Sequence, residues 1–302
     1  MKRVLLLGST GQLGWELNTA LRTLVLPGDI HAPSHHEFDL TNPDNMRAAI
    51  RALKPDAIIN AAGYTRVDAA EGEAELVHQV NAVAPGVIAE EAARLNALLV
   101  HYSTDYVFDG AKSAEQGPYN EDDTPNPLNT YGQSKLAGEQ AVRVAGGAHL
   151  ILRASWIYSD RGSNFVLSLL RLARDHAELR MVNDQVGSPS WARALAHSTV
   201  EILARVNQPQ YVSGVFHLSA GGHVTRYEFA QKIIEILREI GSPGPWARLS
   251  PIPNTQYALP AARPLNAATS KAKVERTFGV IMPPWQEQIR AYLMESKVVP
   301  HP

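Results

Sequence analysis

Cysteine is absent from all 302 residues. That excludes disulfides, thiolate nucleophiles and cysteine-bound metal, and it suits a reducing cytosol. An excess of either charge is missing too. The 28 basic and 30 acidic side chains leave a formal net charge of −2, so no overall field draws nucleic acid or an anionic membrane. No apolar run approaches the ~18 residues that span a bilayer. Only Val4 to Leu7 separate Lys2-Arg3 from the first glycine, too little for the apolar region of a signal peptide. A cytoplasmic protein is expected. The 11 histidines include no tight ligand spacing; the adjacent pair His35-His36 reads as a solvated loop, and no metal site is expected. At 45% hydrophobic and 19% charged, the chain is not of the disordered class.

What is present is a pattern. Short apolar runs alternate with helix-patterned segments, which predicts βαβ units, a doubly wound parallel sheet of Rossmann type and a smaller α/β lobe. RVLLLG, DAIIN (56–60), ALLVHYSTDYVF (97–108) and HLILRASWIY (149–158) read as strands. A helical region is expected from about Glu73 to Leu95, with a break near Pro85. Residues 1–155 are expected to form the dinucleotide-binding domain, joined again by 185–222, and 156–302 the substrate-binding domain. The proline-rich stretch 242–266 shows little periodicity, and a last helix is expected from Trp285 to Glu295.

Gly8, Gly11 and Gly14 stand three apart, directly behind the first strand and ahead of a helix pattern. This is the setting of a dinucleotide loop: one glycine turns the chain, one admits a pyrophosphate, and one lets helix pack on strand. The next strand should carry the residue that reads the ribose 2′ position. DIHAPSHHEFDL (29–40) is expected to end at Ser34-His35-His36, with no carboxylate there. Ser34 is then a donor for a 2′-phosphate, so NADPH is the expected reductant and NADH a second one. Asp39 reads equally as an adenine-side residue or a helix N-cap.

YGQSK places Tyr131 and Lys135 four apart, on one face of a helix. An ammonium beside a phenol favours phenolate, lowering Tyr131 from about 10 toward neutrality. Tyr131 is therefore a candidate general acid for a carbonyl oxygen that receives hydride. Taken alone the pair is weak, because 10 tyrosines and 8 lysines give roughly 0.3 such pairs by chance. HYSTDY strengthens it by placing Ser103 and Thr104 at a strand end, where a hydroxyl can orient the same carbonyl.

GSTGQLG, NAAG (60–63), the strand-end Thr104 and YxxxK together resemble the extended short-chain dehydrogenase/reductase superfamily. STDYVFDG (103–110), YGQSKLAGE (131–139), RASWIY (153–158), NF (164–165), NDQVGSPSWA (183–192) and ARPLN (262–266) are similar, end to end, to its dTDP-4-dehydrorhamnose reductase family. The resemblance implies reduction of the 4-keto group of dTDP-4-dehydro-β-L-rhamnose by NAD(P)H, in the synthesis of cell-envelope polysaccharide. It makes Tyr131 the proton donor, Lys135 its electrostatic partner and Thr104 the group that holds the C4 carbonyl. Gly11, Gln12 and Leu13 would lie on the pyrophosphate. Asp39, Leu40, Ala61, Ala62, Gly63 and Thr65 would line adenine and ribose, with Tyr102 near. Thr104, Asp105 and Trp156 would touch the nucleotide sugar.

Some members of that family are described with Mg²⁺ at a dimer contact. Glu16 matches one such carboxylate, but Arg193 stands where a second acid is expected, so Mg²⁺ is not expected here; a homodimer stays open. Arg263 reads equally as a diphosphate clamp or as the partner of a surface carboxylate. Two other functions compete: an epimerase or dehydratase on the same scaffold, and a binding subunit like the regulatory subunit of methionine adenosyltransferase. Asp105 followed by Tyr106 lacks a dehydratase's paired carboxylates, and the presence of Thr104, Tyr131 and Lys135 favours catalysis.

Overall fold

The structure, a computed structural model, describes residues 2–206 and 212–299. Residues 207–211, part of the 185–222 segment, lie outside them. Strands β1 (Val4–Leu7), β2 (Ile30–His31), β3 (Ala57–Asn60), β4 (Leu98–Thr104) and β5 (His149–Ala154) form one sheet with the strand Gly214–His217. Their order is Gly214–His217, β5, β4, β3, β1, β2, and every pairing is parallel. The order reverses at β1, so the rim beside β1 and β3 is the switch point where open α/β sheets bind ligands.

Alternation along the strands explains both helix layers. Val4, Leu6, Ala57, Ile59, Leu98 and Val100 turn to one face, where helix α1 (Gln12–Ala20) and the helix Ala192–Arg205 cover them. Leu5, Leu7, Ile58 and Leu99 turn to the other, against Met46, Ile50, Ile88 and Val142. Strands buried on both faces read as unbroken apolar runs, and these do. A separate cluster fills the smaller lobe, with Tyr158, Trp191, Phe229, Trp285 and Tyr292 at its centre. Among the described residues, no helix is long and apolar enough to cross a membrane.

Three expectations need correction. β2 ends at His31, not at Ser34-His35-His36, because Ser34 opens a turn that closes on Phe38. The N-cap of the helix Pro43–Leu53 is Asn42, whose side chain accepts the Asn45 amide; Asp39 instead accepts the backbone and hydroxyl of Thr41. The proline-rich stretch contains a strand, Arg248–Ile252, parallel to Glu178–Val182, and proline is tolerated in so short an edge pairing. The expected break near Pro85 takes a definite form. Pro85 has no N–H for the Asn81 carbonyl four residues back, and the chain widens into a π segment over Gln79–Val83.

Candidate active site

At the switch point, β1 leads into the glycine loop. Gly8 has φ +80°, and a Cβ there would meet the Ala61–Ala62 backbone at 2.7–2.8 Å. A Cβ on Gly14 would lie 2.0 Å from the Gly8 carbonyl. The loop therefore packs tightly on β3 and on itself. No side chain caps α1, whose N-cap is Gly11, so its first amides face the rim, as an anion-binding helix start requires. Asn60 explains the NAAG string, since its side chain accepts the Ala62 amide at 3.2 Å.

A cleft of about 520 Å³ opens beside this loop, lined by Asp39, Leu40, Ala62, Gly63 and Thr65 together with His35 and Arg66. Its apolar walls, Leu40, Ala62, Leu76 and Val80, fit an adenine ring, and the glycine loop packs on Ala62 of that wall. Ser34, one residue before the lining residue His35, has both donors taken, because its amide and hydroxyl bond Glu37 Oε2 at 2.7 and 2.8 Å. The expectation of a carboxylate-free ribose end is thus corrected: the turn brings Glu37 back to Ser34. Those contacts hold the Glu37 carboxyl below its ordinary value.

On the rim beyond β4, Thr104 Oγ1 accepts the Tyr106 amide at 3.2 Å and donates to Asp105 Oδ1 at 3.1 Å. Ser155 donates to the other oxygen, Asp105 Oδ2, at 2.6 Å. The helix Thr130–Val144, capped by the Asn129 side chain, brings the Tyr131 phenol beside Thr104. Tyr106 meets the Tyr131 ring edge-on, centroids 5.6 Å apart.

Electrostatics correct the expected role of Lys135. Its Nζ donates to the Tyr102 carbonyl at 2.5 Å, and burial lowers its pKa to about 8. Burial raises the Tyr131 phenol and the neighbouring Thr104 hydroxyl only partly opposes that, so Tyr131 remains protonated at neutral pH. Helical spacing sets where the two Cβ atoms stand; it does not aim a lysine tip with four torsions. Tyr102 contributes only its carbonyl, for its phenol points to Thr199 on the helix Ala192–Arg205. Arg263 pairs with Asp68 Oδ2 at 2.7 Å. Arg193 bridges Glu16 at 3.2 Å and Glu295. Among the described residues no group of three His, Asp or Glu side chains stands together as a metal site.

Asn81 was not legible as a site residue. It bonds the Tyr64 amide and carbonyl and the Ser134 hydroxyl, tying the cleft wall to the Tyr131 helix. The only signal for it was Pro85, four residues on.

Burial lifts the Asp105 carboxyl to about 6, against the hydrogen bonds from Ser155 and Thr104. A folded pKa above the ordinary 3.8 favours the protonated fold, so wild-type stability falls as pH rises from about 4 to about 6. Asp105→Asn escapes that loss. It is expected to gain about 1–3 kcal/mol over wild type between pH 4 and pH 8. Denaturation at both pH values checks this, and an equal difference at each would refute it.

Sheet order, glycine cradle and the Thr104–Tyr131 pair define an NAD(P)-dependent oxidoreductase of the extended short-chain dehydrogenase/reductase type. The chain belongs to the family described as RmlD substrate binding domain, which matches residues 1–298. It is 40% identical over 295 residues to dTDP-4-dehydrorhamnose reductase of Escherichia coli, covering 97% of both chains. It is also 40% identical over 290 residues to that of Burkholderia thailandensis, covering 94% and 95%. The structure of dTDP-4-dehydrorhamnose reductase from Bacillus anthracis in complex with NADP superposes with a TM-score of 0.86 at 32% identity, covering 98% and 100% of the chains. The Clostridium acetobutylicum enzyme gives 0.88, also at 32%, covering 97% and 99%.

Proposed function

We propose that the protein reduces the C4 carbonyl of dTDP-4-dehydro-β-L-rhamnose to give dTDP-L-rhamnose, in the cytoplasm, with NADPH or NADH. The observation that carries this reading is the placement of the Tyr131 phenol beside Thr104, itself bonded to a buried Asp105, in a chain similar to named dTDP-4-dehydrorhamnose reductases. The glycine loop, the first amides of α1 and the cleft residues Asp39, Leu40, Ala62, Gly63 and Thr65 hold the dinucleotide, which supplies a hydride when bound. Thr104 orients the C4 carbonyl, and Tyr131, protonated, delivers its proton to the nascent alkoxide. Lys135 Nζ, which a Cβ on Gly63 would approach to 3.9 Å, sets a positive charge beside the dinucleotide cleft. Asp105 and Trp156 position the sugar, and Arg263 the nucleotide, so residues 156–302 serve as the substrate side.

Purified protein with enzymatically generated dTDP-4-dehydrorhamnose should oxidise NADPH stoichiometrically in EDTA. An epimerase or dehydratase recycles its cofactor and would show no net oxidation; a binding subunit would show none with NADPH bound. The Ser34–Glu37 turn adds a prediction. A carboxylate beside a 2′-phosphate disfavours NADPH, so Glu37→Gln is expected to raise the NADPH/NADH ratio of kcat/KM roughly 3- to 10-fold. An unchanged ratio would place the 2′ position elsewhere.

A further inference from the structure

Arg226 opens the helix Arg226–Glu239, far in sequence from every motif that points to the site. Its backbone amide donates to the Gln185 carbonyl at 3.1 Å and its Nε to Gln185 Oε1 at 3.0 Å. Gln185 is itself buried and bonded to Asn254 at 2.6 Å, so the arginine stem is fixed from both ends. The guanidinium lies over the Trp156 ring, 4.0 Å from its centroid.

That ring cannot retreat. Trp156 has φ +44°, a left-handed backbone that a tryptophan adopts only under constraint. Its indole is backed by Gly187, where a Cβ would come within 2.3 Å of the ring. The guanidinium plane is therefore held in place rather than parked.

Its charge environment is unusual. Arg226 makes no ion pair with a carboxylate among the described residues. Arg263 lies near enough to repel it, and the Tyr106 hydroxyl feels both guanidinium groups. The Tyr106 hydroxyl and the Asp105 carboxylate act on Arg226, and Asp105 is engaged by Ser155 and Thr104. Arg263 is itself paired with Asp68 at 2.7 Å, so Arg226 is the guanidinium left to meet an anion beside the reacting centre.

We propose that Arg226 is a substrate-binding residue that takes the diphosphate of the nucleotide sugar, with Trp156 as the platform that aims it. The proposal rests on the reading of the substrate as a nucleoside-diphosphate sugar. Its test is calorimetric binding of dTDP and of thymidine to the full chain, in wild type, Arg226→Met and Arg226→Lys. Arg226→Met is expected to weaken dTDP about 10- to 100-fold, with thymidine and NADPH affinities unchanged and Arg226→Lys intermediate. KM for the keto-sugar should rise with it, and added salt should narrow the gap between wild type and Arg226→Met.

Equal losses for dTDP and thymidine would mean that Arg226 only supports Trp156, and would overturn the assignment. Unchanged dTDP affinity would overturn it as well. Wild-type protein that binds dTDP through Arg226 but leaves NADPH unoxidised would refute the proposed reaction and keep this assignment. Wild-type protein that does not bind dTDP at all would remove both.

Discussion

Tyr131→Phe is expected to lower kcat by about 10²- to 10⁴-fold while NADPH affinity and folding stay close to wild type. The substitution removes one oxygen. The ring keeps its edge contact with Tyr106, and Thr104 keeps its bond to Asp105. What disappears is the proton that the alkoxide must receive. Burial raises the Tyr131 phenol, so the acid form is fully populated at neutral pH and its loss shows there undiluted. Lys135 cannot substitute, because its Nζ is committed to the Tyr102 carbonyl. Single-turnover oxidation of NADPH measures the step without interference from product release. Near-normal turnover would assign the acid to another group, and Asp105, lifted to about 6 by burial, would be the first to examine.

Much of this site was legible because its parts are local. A strand, three glycines and a helix start lie within one short stretch, and Tyr131 and Lys135 share one helix. Thr104, Asp105 and Trp156 stand at the ends of apolar runs, and the rim of a parallel sheet follows from the βαβ pattern. The parts that escaped depend on chain paths that no short window contains. Arg226 meets Trp156 only because two lobe elements converge on Gln185. Glu37 reaches Ser34 because β2 stops after two residues and the chain turns back. The strand Arg248–Ile252 was hidden by Pro251 within it and Pro253 just beyond; it is recognisable only from Glu178–Val182, to which it pairs. Where Lys135 points was unreadable for a different reason, since periodicity places a Cβ and not a side-chain tip.

The buried pair of Glu139 and Arg153 is the other place where one substitution should have a large effect. Arg153 Nε and Nη2 bond Glu139 Oε1 and Oε2 at 2.8 and 2.7 Å, with both side chains only 3% exposed. Arg153 belongs to β5 and Glu139 to the helix that carries Tyr131 and Lys135, so the pair fastens that helix to the sheet. Arg153→Met strands a carboxylate away from water and is expected to cost about 3–5 kcal/mol, a large share of the ~5–15 kcal/mol that holds a domain folded. Replacing both residues by methionine leaves no charge behind, and the double variant should recover most of that loss. Glu139 also supports the charge on Lys135, whose pKa burial lowers and Glu139 raises. In Glu139→Gln the Lys135 pKa should therefore fall further below about 8, and the activity that depends on its ammonium should be lost at a lower pH than in wild type. Denaturant unfolding of the two single variants and the double, with the pH profile of Glu139→Gln, tests both halves. Single variants within about 1 kcal/mol of wild type would mean that solvent reaches the pair, and an unmoved alkaline limb would separate Glu139 from Lys135.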